Sequence, residues 1–187
     1  FKDTNLKANH NIISVGSLAQ MYKAPDIVLL AMEILKKRGI NIHLTWLGDG
    51  IFKQDMVNLA NKLGVDADFK GNVSSDIVYK NLSESDIFLL VSRTEGLPRA
   101  VVEAMAHGLP CIGSRVGGIP ELLEPSVLVE KENPEALADL IQRLVTDYDF
   151  TNEQAKRNLN EALLYKEDRL KELRNQYFEY IKAQRDE

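Results

Sequence analysis

Cysteine is almost absent from this 187-residue chain: Cys111 is the only one, which excludes an internal disulfide and fits a reducing compartment. It lies in the short apolar run Pro110-Cys111-Ile112-Gly113, where a buried strand thiol is expected rather than a nucleophile. Histidine is scarce too. His10, His43 and His107 are scattered, and no pair has the spacing of metal ligands, so no metal site is expected. No apolar run approaches the roughly 18 residues that a membrane span needs, and no signal-peptide pattern is present. Basic excess is also missing. With 23 Lys and Arg against 28 Asp and Glu the net charge is −5, which argues against a nucleic-acid partner, since a phosphate backbone demands a basic face. The chain opens on Phe1-Lys2-Asp3 without a methionine and is read as a piece of a longer protein.

What the chain does have is alternation. Short apolar runs at 12–15, 42–47, 67–70, 87–91, 110–113 and 127–129 predict strands. Amphipathic stretches at 25–38, 51–63, 74–83, 98–107 and 134–146 predict helices between them. Such strand–helix alternation predicts an α/β fold, a Rossmann-like parallel sheet with helices on both faces. The core is expected over about 10–150, with a helical extension over 151–187. In that tail Leu159, Leu163, Leu170, Leu173, Tyr177 and Ile181 recur near helical spacing, and Tyr165-Lys166-Glu167-Asp168 marks a break between two helices. Ligands of such sheets bind beyond the carboxyl ends of the strands, so the loops at 16–23, 48–50, 71–74, 92–98 and 114–120 are the candidate site.

One of these loops stands out. Glu95-Gly96-Leu97-Pro98-Arg99 leads into Ala100-Val101-Val102-Glu103-Ala104-Met105-Ala106, with Gly108 and Pro110 closing the run. Ser92-Arg93-Thr94-Glu95 matches a capping box, but Gly96 and the residue before Pro98 are poor helix formers, so the helix is expected to start at about Pro98 with Glu95 in the turn ahead. A helix apolar on every side is expected to be buried, and a buried Glu103 then needs a partner rich in hydrogen-bond donors. The turn ahead offers backbone N–H groups at a helix N-terminus, where phosphate is favoured. A nucleotide satisfies both ends.

Three ordered motifs carry a family resemblance. Ser92-Arg93-Thr94-Glu95-Gly96-Leu97-Pro98, then Glu103-Ala104-Met105-Ala106-His107-Gly108-Leu109-Pro110, then Val116-Gly117-Gly118-Ile119-Pro120-Glu121 resemble the donor-binding half of a GT-B glycosyltransferase of retaining family four, whose signature is two glutamates separated by seven residues. The resemblance runs from about Ile12 to the C-terminus. It implies one half of a GT-B fold, with an N-terminal acceptor domain outside this chain. It implies that Glu95 reaches the donor sugar hydroxyls, that Glu103 holds the ribose diol, and that Gly96, Leu97 and Arg99 present N–H groups to the phosphates beside Pro98, which has none. It places Lys23 where the family grips the diphosphate, in a loop that also contains Gly16 and Ser17. Ser17 departs from the family arginine and removes one positive charge. Asn72 and Val73 fall in the segment beside the nucleobase, where Ser74 or Ser75 serves equally well as a helix N-cap. Arg99 either replaces the missing arginine or lies along the helix flank. Gly117 and Gly118 line the pocket or permit a tight turn.

Two partial matches are set aside. Asp66-Ala67-Asp68 resembles the Asp-x-Asp of another glycosyltransferase fold but is expected in a surface loop before a strand. Gly48-Asp49-Gly50 has Lys53 where a dinucleotide fingerprint needs its third glycine, which weakens an NAD-binding alternative. The reading is a domain of a retaining glycosyltransferase moving a sugar from a UDP- or GDP-linked donor to an acceptor hydroxyl. Glu95 and Lys23 are its expected catalytic residues, no metal or other cofactor is required, and the chain alone is inactive. The acceptor, a saccharide or lipid-linked saccharide, is reached through the absent domain. Bacterial surface polysaccharide synthesis and a cytoplasmic location, with peripheral inner-membrane attachment of the full-length protein, follow by analogy. A sugar-nucleotide epimerase of GT-B fold is the alternative.

Overall fold

Six strands form one parallel sheet: β1 (His10–Val15), β2 (Ile42–Leu47), β3 (Asp66–Gly71), β4 (Ile87–Leu90), β5 (Cys111–Ser114) and β6 (Leu128–Val129). They are seen in a computed structural model that describes residues 10–184. Their order in the sheet is β3-β2-β1-β4-β5-β6. The chain thus reverses direction across the sheet between β1 and β4, which pair through Ile12 with Ile87 and Ile13 with Phe88. The loops after these two strands leave toward opposite faces and open a crevice at their carboxyl ends.

The helices are α1 (Pro25–Lys37), α2 (Lys53–Leu63), α3 (Ser75–Glu84), α4 (Arg99–Ala106), the short α5 (Ile119–Leu122), α6 (Pro134–Thr146), α7 (Tyr148–Ala162) and α8 (Glu167–Ala183). Right-handed crossovers put α1 and α2 on one face of the sheet and α3 and α4 on the other. Further along the chain, α6 packs on α1 and α7 on α4, so both faces are covered. That is why β4 reads Ile-Phe-Leu-Leu and is buried throughout. Trp46, Phe88, Ile12, Ile13 and Leu44 fill the centre, each contributing about 1.5–3 kcal/mol by leaving water.

The expected elements are present, with ends displaced by at most three residues. Three differences have clear causes. Asp66, Ala67 and Asp68 are not a surface loop; they open β3, the edge strand, whose side chains alternate between exposed and half-buried. Their carboxylates bracket His43 of β2, Asp66 Oδ2 lying 3.0 Å from Nδ1 and Asp68 Oδ2 lying 3.7 Å from Nε2. Charge along an exposed edge also discourages pairing with another chain. Next, α7 begins at Tyr148 rather than near 151, because Asp147 accepts the Phe150 N–H at 3.0 Å and caps it. Last, α4 starts at Arg99, with Pro98 as its extended N-cap residue.

The expected break in the tail is found at Lys166, which is extended between a 3₁₀ turn over Leu163–Tyr165 and α8. On α8 the apolar stripe is open to solvent, Leu170, Leu173, Tyr177 and Ile181 being 38–60% exposed. Cys111 is fully buried in β5, where its thiol donates to the Leu109 carbonyl at 3.3 Å and burial pushes its pKa far above the ordinary range. No helix among the described residues is long and apolar enough to cross a membrane.

Candidate functional site

The loop after β1 is built around one ammonium group. A 3₁₀ turn over Met21–Lys23 ends in Ala24, whose left-handed backbone (φ 47°, ψ 49°) turns the chain directly into Pro25 and α1. Lys23 then lies back across Gly16, where a Cβ atom would stand only 3.0 Å from the lysine Cγ. Glycine at 16 therefore makes room for the lysine stem. At its end, Nζ meets Glu95 Oε2 at 2.5 Å, and the two side chains are 11% and 13% exposed. Ser92 Oγ donates to the same Oε2 at 3.0 Å. The Ser92 hydroxyl thus serves the carboxylate and forms no capping box.

The loop after β4 supplies that carboxylate and is braced from below. Ser114 Oγ, at the end of β5, donates to the Ser92 carbonyl at 2.6 Å. Gly117 has φ +53°, and a Cβ there would lie 1.8 Å from the Glu95 carbonyl oxygen, while the Gly118 N–H donates to the Gly96 carbonyl at 3.0 Å. The glycine pair is both a tight turn and a surface pressed against the backbone of Glu95 and Gly96. From there the chain enters α4 through Pro98. The N–H groups of its first turn lack acceptors within the helix and form the positive end of its dipole. Arg99 opens that turn and is exposed.

Arg93 ties these loops together and was not singled out by sequence reasoning. Its guanidinium meets Asp26 Oδ1 at 3.0 Å and Oδ2 at 2.8 Å, the Met21 carbonyl at 2.5 Å, and Glu132 Oε1 at 2.6 Å and Oε2 at 3.0 Å. Its backbone N–H donates to the Tyr22 carbonyl at 2.7 Å. Hydrogen bonding to Asp26, aided by Glu132 and opposed by partial burial, holds the guanidinium protonated well beyond its ordinary range. Arg93 was visible in the chain, but the 67 and 39 residues that separate it from its two acidic partners left no local signal.

Two adjoining cavities share Val78 of α3. One, of about 240 Å³, brings together Gly16, Ser17, Gly48, Asn72 and Val73, so four expected site residues from two separate loops do converge. The other, of about 190 Å³, is lined by Glu103 with Ser75, Tyr79, Leu82 and His107. Glu103 is not buried, contrary to expectation. It faces solvent on α4 with Arg99 and Ala106, because only Val101, Ala104 and Met105 of that helix turn fully inward. The apolar residues cover the inner face and flanks, and the two charged residues, four positions apart, share the outer one with Ala106, so the helix is one-sided where its composition predicted burial all round. Glu103 is exposed and lines the smaller cavity, so burial supplies no argument for a ligand there.

A profile for glycosyl transferases group 1 matches residues 9–147, about three quarters of the chain. The chain belongs to this family. Among its relatives this glycosyltransferase chain is 34% identical over 148 residues to the amylovoran biosynthesis glycosyltransferase AmsK of Erwinia amylovora, covering 71% of the chain and 35% of AmsK. Its fold is that of the HepE protein of Anabaena, crystallised with UDP and glucose (TM-score 0.78, 22% identity, 94% of this chain and 49% of that one). It is also that of the C-terminal domain of a group 1 glycosyl transferase, LpcC, from Francisella tularensis (TM-score 0.73, 21% identity, 84% of this chain and 87% of that one). The α/β Rossmann-like architecture expected from the sequence is thus that of GT-B glycosyltransferase domains. The chain spans less than half the length of the curated relatives it matches.

Ser17, which stands where the family arginine was expected, uses its hydroxyl inside the loop: it donates to the Asp49 carbonyl at 3.3 Å and accepts the Ala19 N–H at 3.1 Å. Gly48-Asp49-Gly50 braces that same loop through Leu18 N–H to the Asp49 carbonyl at 2.8 Å. Ser74 occupies the N-cap position of α3 without a side-chain capping bond.

Proposed function

We propose that this chain is the C-terminal, donor-binding domain of a retaining glycosyltransferase that transfers a sugar from a UDP- or GDP-linked donor to an acceptor hydroxyl. The observation that carries the reading is the Lys23–Glu95 pair at the switch point of the sheet. A diphosphate engaging the Lys23 ammonium has its attached sugar beside the Glu95 carboxylate, which accepts hydrogen bonds from hydroxyls. As the glycosidic bond breaks, negative charge grows on the departing diphosphate. Lys23 and the N–H groups that open α4 offset that charge. This assigns to protein groups the work a divalent cation does elsewhere, so no metal is required. Glu103 holds the ribose diol, and Asn72 and Val73 present backbone to the base.

The HepE structure with UDP and glucose supports a nucleotide-sugar donor, and AmsK, an amylovoran biosynthesis glycosyltransferase, supports a place in bacterial surface polysaccharide synthesis. The match to an isolated C-terminal domain supports the assignment of this half of the molecule. The acceptor, a saccharide or lipid-linked saccharide, is held by an N-terminal domain. A cytoplasmic site of action, peripheral to the inner membrane, belongs to the same proposal.

The test is a thermal-shift panel of UDP, GDP, ADP, TDP and NAD, followed by calorimetry of the best ligand with and without EDTA. A specific ligand at a hundred times its dissociation constant adds about 2.7 kcal/mol to apparent stability. UDP or GDP is expected to stand out, with the same affinity in EDTA; strict dependence on magnesium or manganese would sink the metal-free reading. In the same assay Glu103→Gln is expected to weaken binding by roughly 1.5–3 kcal/mol through loss of a charged acceptor. Because Glu103 is exposed, the fold survives the change. Unchanged affinity would remove Glu103 from the ribose site.

A further inference from the structure

The two described non-glycine residues with positive φ are Ala24 (φ 47°) and Glu132 (φ 60°). They lie more than a hundred residues apart in the chain, yet both are attached to Arg93. Glu132 binds the guanidinium directly, and Ala24 sits between the segment whose Met21 and Tyr22 carbonyls accept from Arg93 and Asp26, which takes two of its N–H groups. A left-handed alanine or glutamate is strained and persists only where its surroundings over-determine it. Here the surroundings are the five oxygens around Arg93: four accept hydrogen bonds from Nη1 and Nη2, and Glu132 Oε1 lies 2.6 Å from Nε.

We propose that Arg93 is a positioning residue of the donor site: with Asp26 and Glu132 it forms a clasp that fixes the loop carrying Lys23 beside the loop carrying Glu95 and so keeps the ammonium where a diphosphate can meet it, without itself touching the ligand. The inference rests on the donor-site reading of Lys23 and Glu95. Arg93 stands two residues before Glu95 on one loop, and its bonds to Met21, Tyr22 and Asp26 bracket Lys23 on the other. The two halves of the ion pair are therefore presented by segments that a single side chain joins. The planar fork matters. A lysine at 93 supplies three donors from one point and cannot span Asp26, Glu132 and the Met21 carbonyl together. The clasp also adds a third segment, the one after β6 that carries Glu132, which no family motif quoted above includes.

The experiment is a calorimetric titration of the full chain with UDP against uridine and GDP against guanosine. Arg93→Met is expected to lower the diphosphate affinity by about tenfold or more while leaving the nucleoside affinity unchanged, the size expected for coupled neighbours. Arg93→Lys is expected not to rescue it. In a Lys23→Met background the same Arg93→Met change is expected to have no further effect on diphosphate, because the group it positions is gone. Should Arg93→Met fail to fold, Asp26→Asn and Glu132→Gln open the clasp one partner at a time, with the same selectivity for diphosphate. A parallel fall for diphosphate and nucleoside, or full additivity with Lys23→Met, would overturn the proposal and leave Arg93 a general brace. If the wild-type chain shows no preference for either diphosphate over its nucleoside, the donor-site reading itself fails, and with it the clasp. That outcome is visible before any variant is made.

Discussion

Lys23→Met is expected to lower the affinity for a nucleoside diphosphate by roughly ten- to a hundredfold, the equivalent of about 1.5–3 kcal/mol for a charged hydrogen bond. Glu95→Gln in the same titration is expected to bind the bare diphosphate at least as tightly as the wild type. The reason is the ion pair. With Nζ and Oε2 at 2.5 Å and both side chains largely shielded from water, the phosphate must compete with Glu95 for the ammonium and approach a carboxylate of its own sign. The glutamine amide keeps the size and the acceptor for Ser92 but removes that competition. Sugar transfer by the full-length enzyme is expected to fall in the same variant, since the neutral amide is a weaker acceptor for the donor sugar hydroxyls. The two site residues thus separate by sign: one change loosens the diphosphate, the other frees it. Equal weakening by both would show that Glu95, like Lys23, contributes to holding the nucleotide, and would remove its proposed role at the sugar.

The isolated 187-residue chain is expected to bind donor and transfer almost nothing. Under the two-domain reading, acceptor and donor meet only when the second domain holds the acceptor against the Lys23–Glu95 crevice. Positioning of that kind accounts for about 7–11 kcal/mol of barrier, so the deficit against the full-length enzyme is expected to reach roughly five orders of magnitude. The measurement is nucleotide release with and without a saccharide acceptor, from the chain and the full-length protein at equal concentration. The open stripe of Leu170, Leu173, Tyr177 and Ile181 on α8 suits a chain whose tail packs toward a further domain. Turnover by the chain alone within tenfold of the full-length enzyme would contradict the two-domain account.

Most of the fold was legible because its causes are local and periodic. Fully apolar runs such as Ile87–Leu90 announce a strand covered on both faces, and helix ends announce themselves through residues such as Pro134, preceded by the Asn133 side chain that accepts the Ala136 N–H at 3.0 Å. The edge strand β3 was harder to read. Its alternation of Asp66, Ala67, Asp68 and Phe69 obeys the two-residue period of a half-exposed strand, but two leading aspartates look like loop. The Glu103 helix misled in the opposite direction: its apolar residues turn inward or are half-buried, but Arg99 and Glu103 share the face left to solvent with Ala106.

The sequence alone determined the α/β alternation, the family through its three ordered motifs, and the identity of Lys23, Glu95 and Glu103 as candidates. Only the tertiary structure decided what those residues do to one another. It set Lys23 and Glu95 into a single ion pair, gave Glu103 an open cavity, pressed Gly117 against the Glu95 backbone, and wrapped Arg93 in five oxygens. The division has a physical reason. Periodicity and turn chemistry act over a few neighbouring residues and are written in adjacent letters, whereas ion pairs and close backbone contacts join segments that chain order keeps tens of residues apart and that meet only at the switch point of the sheet.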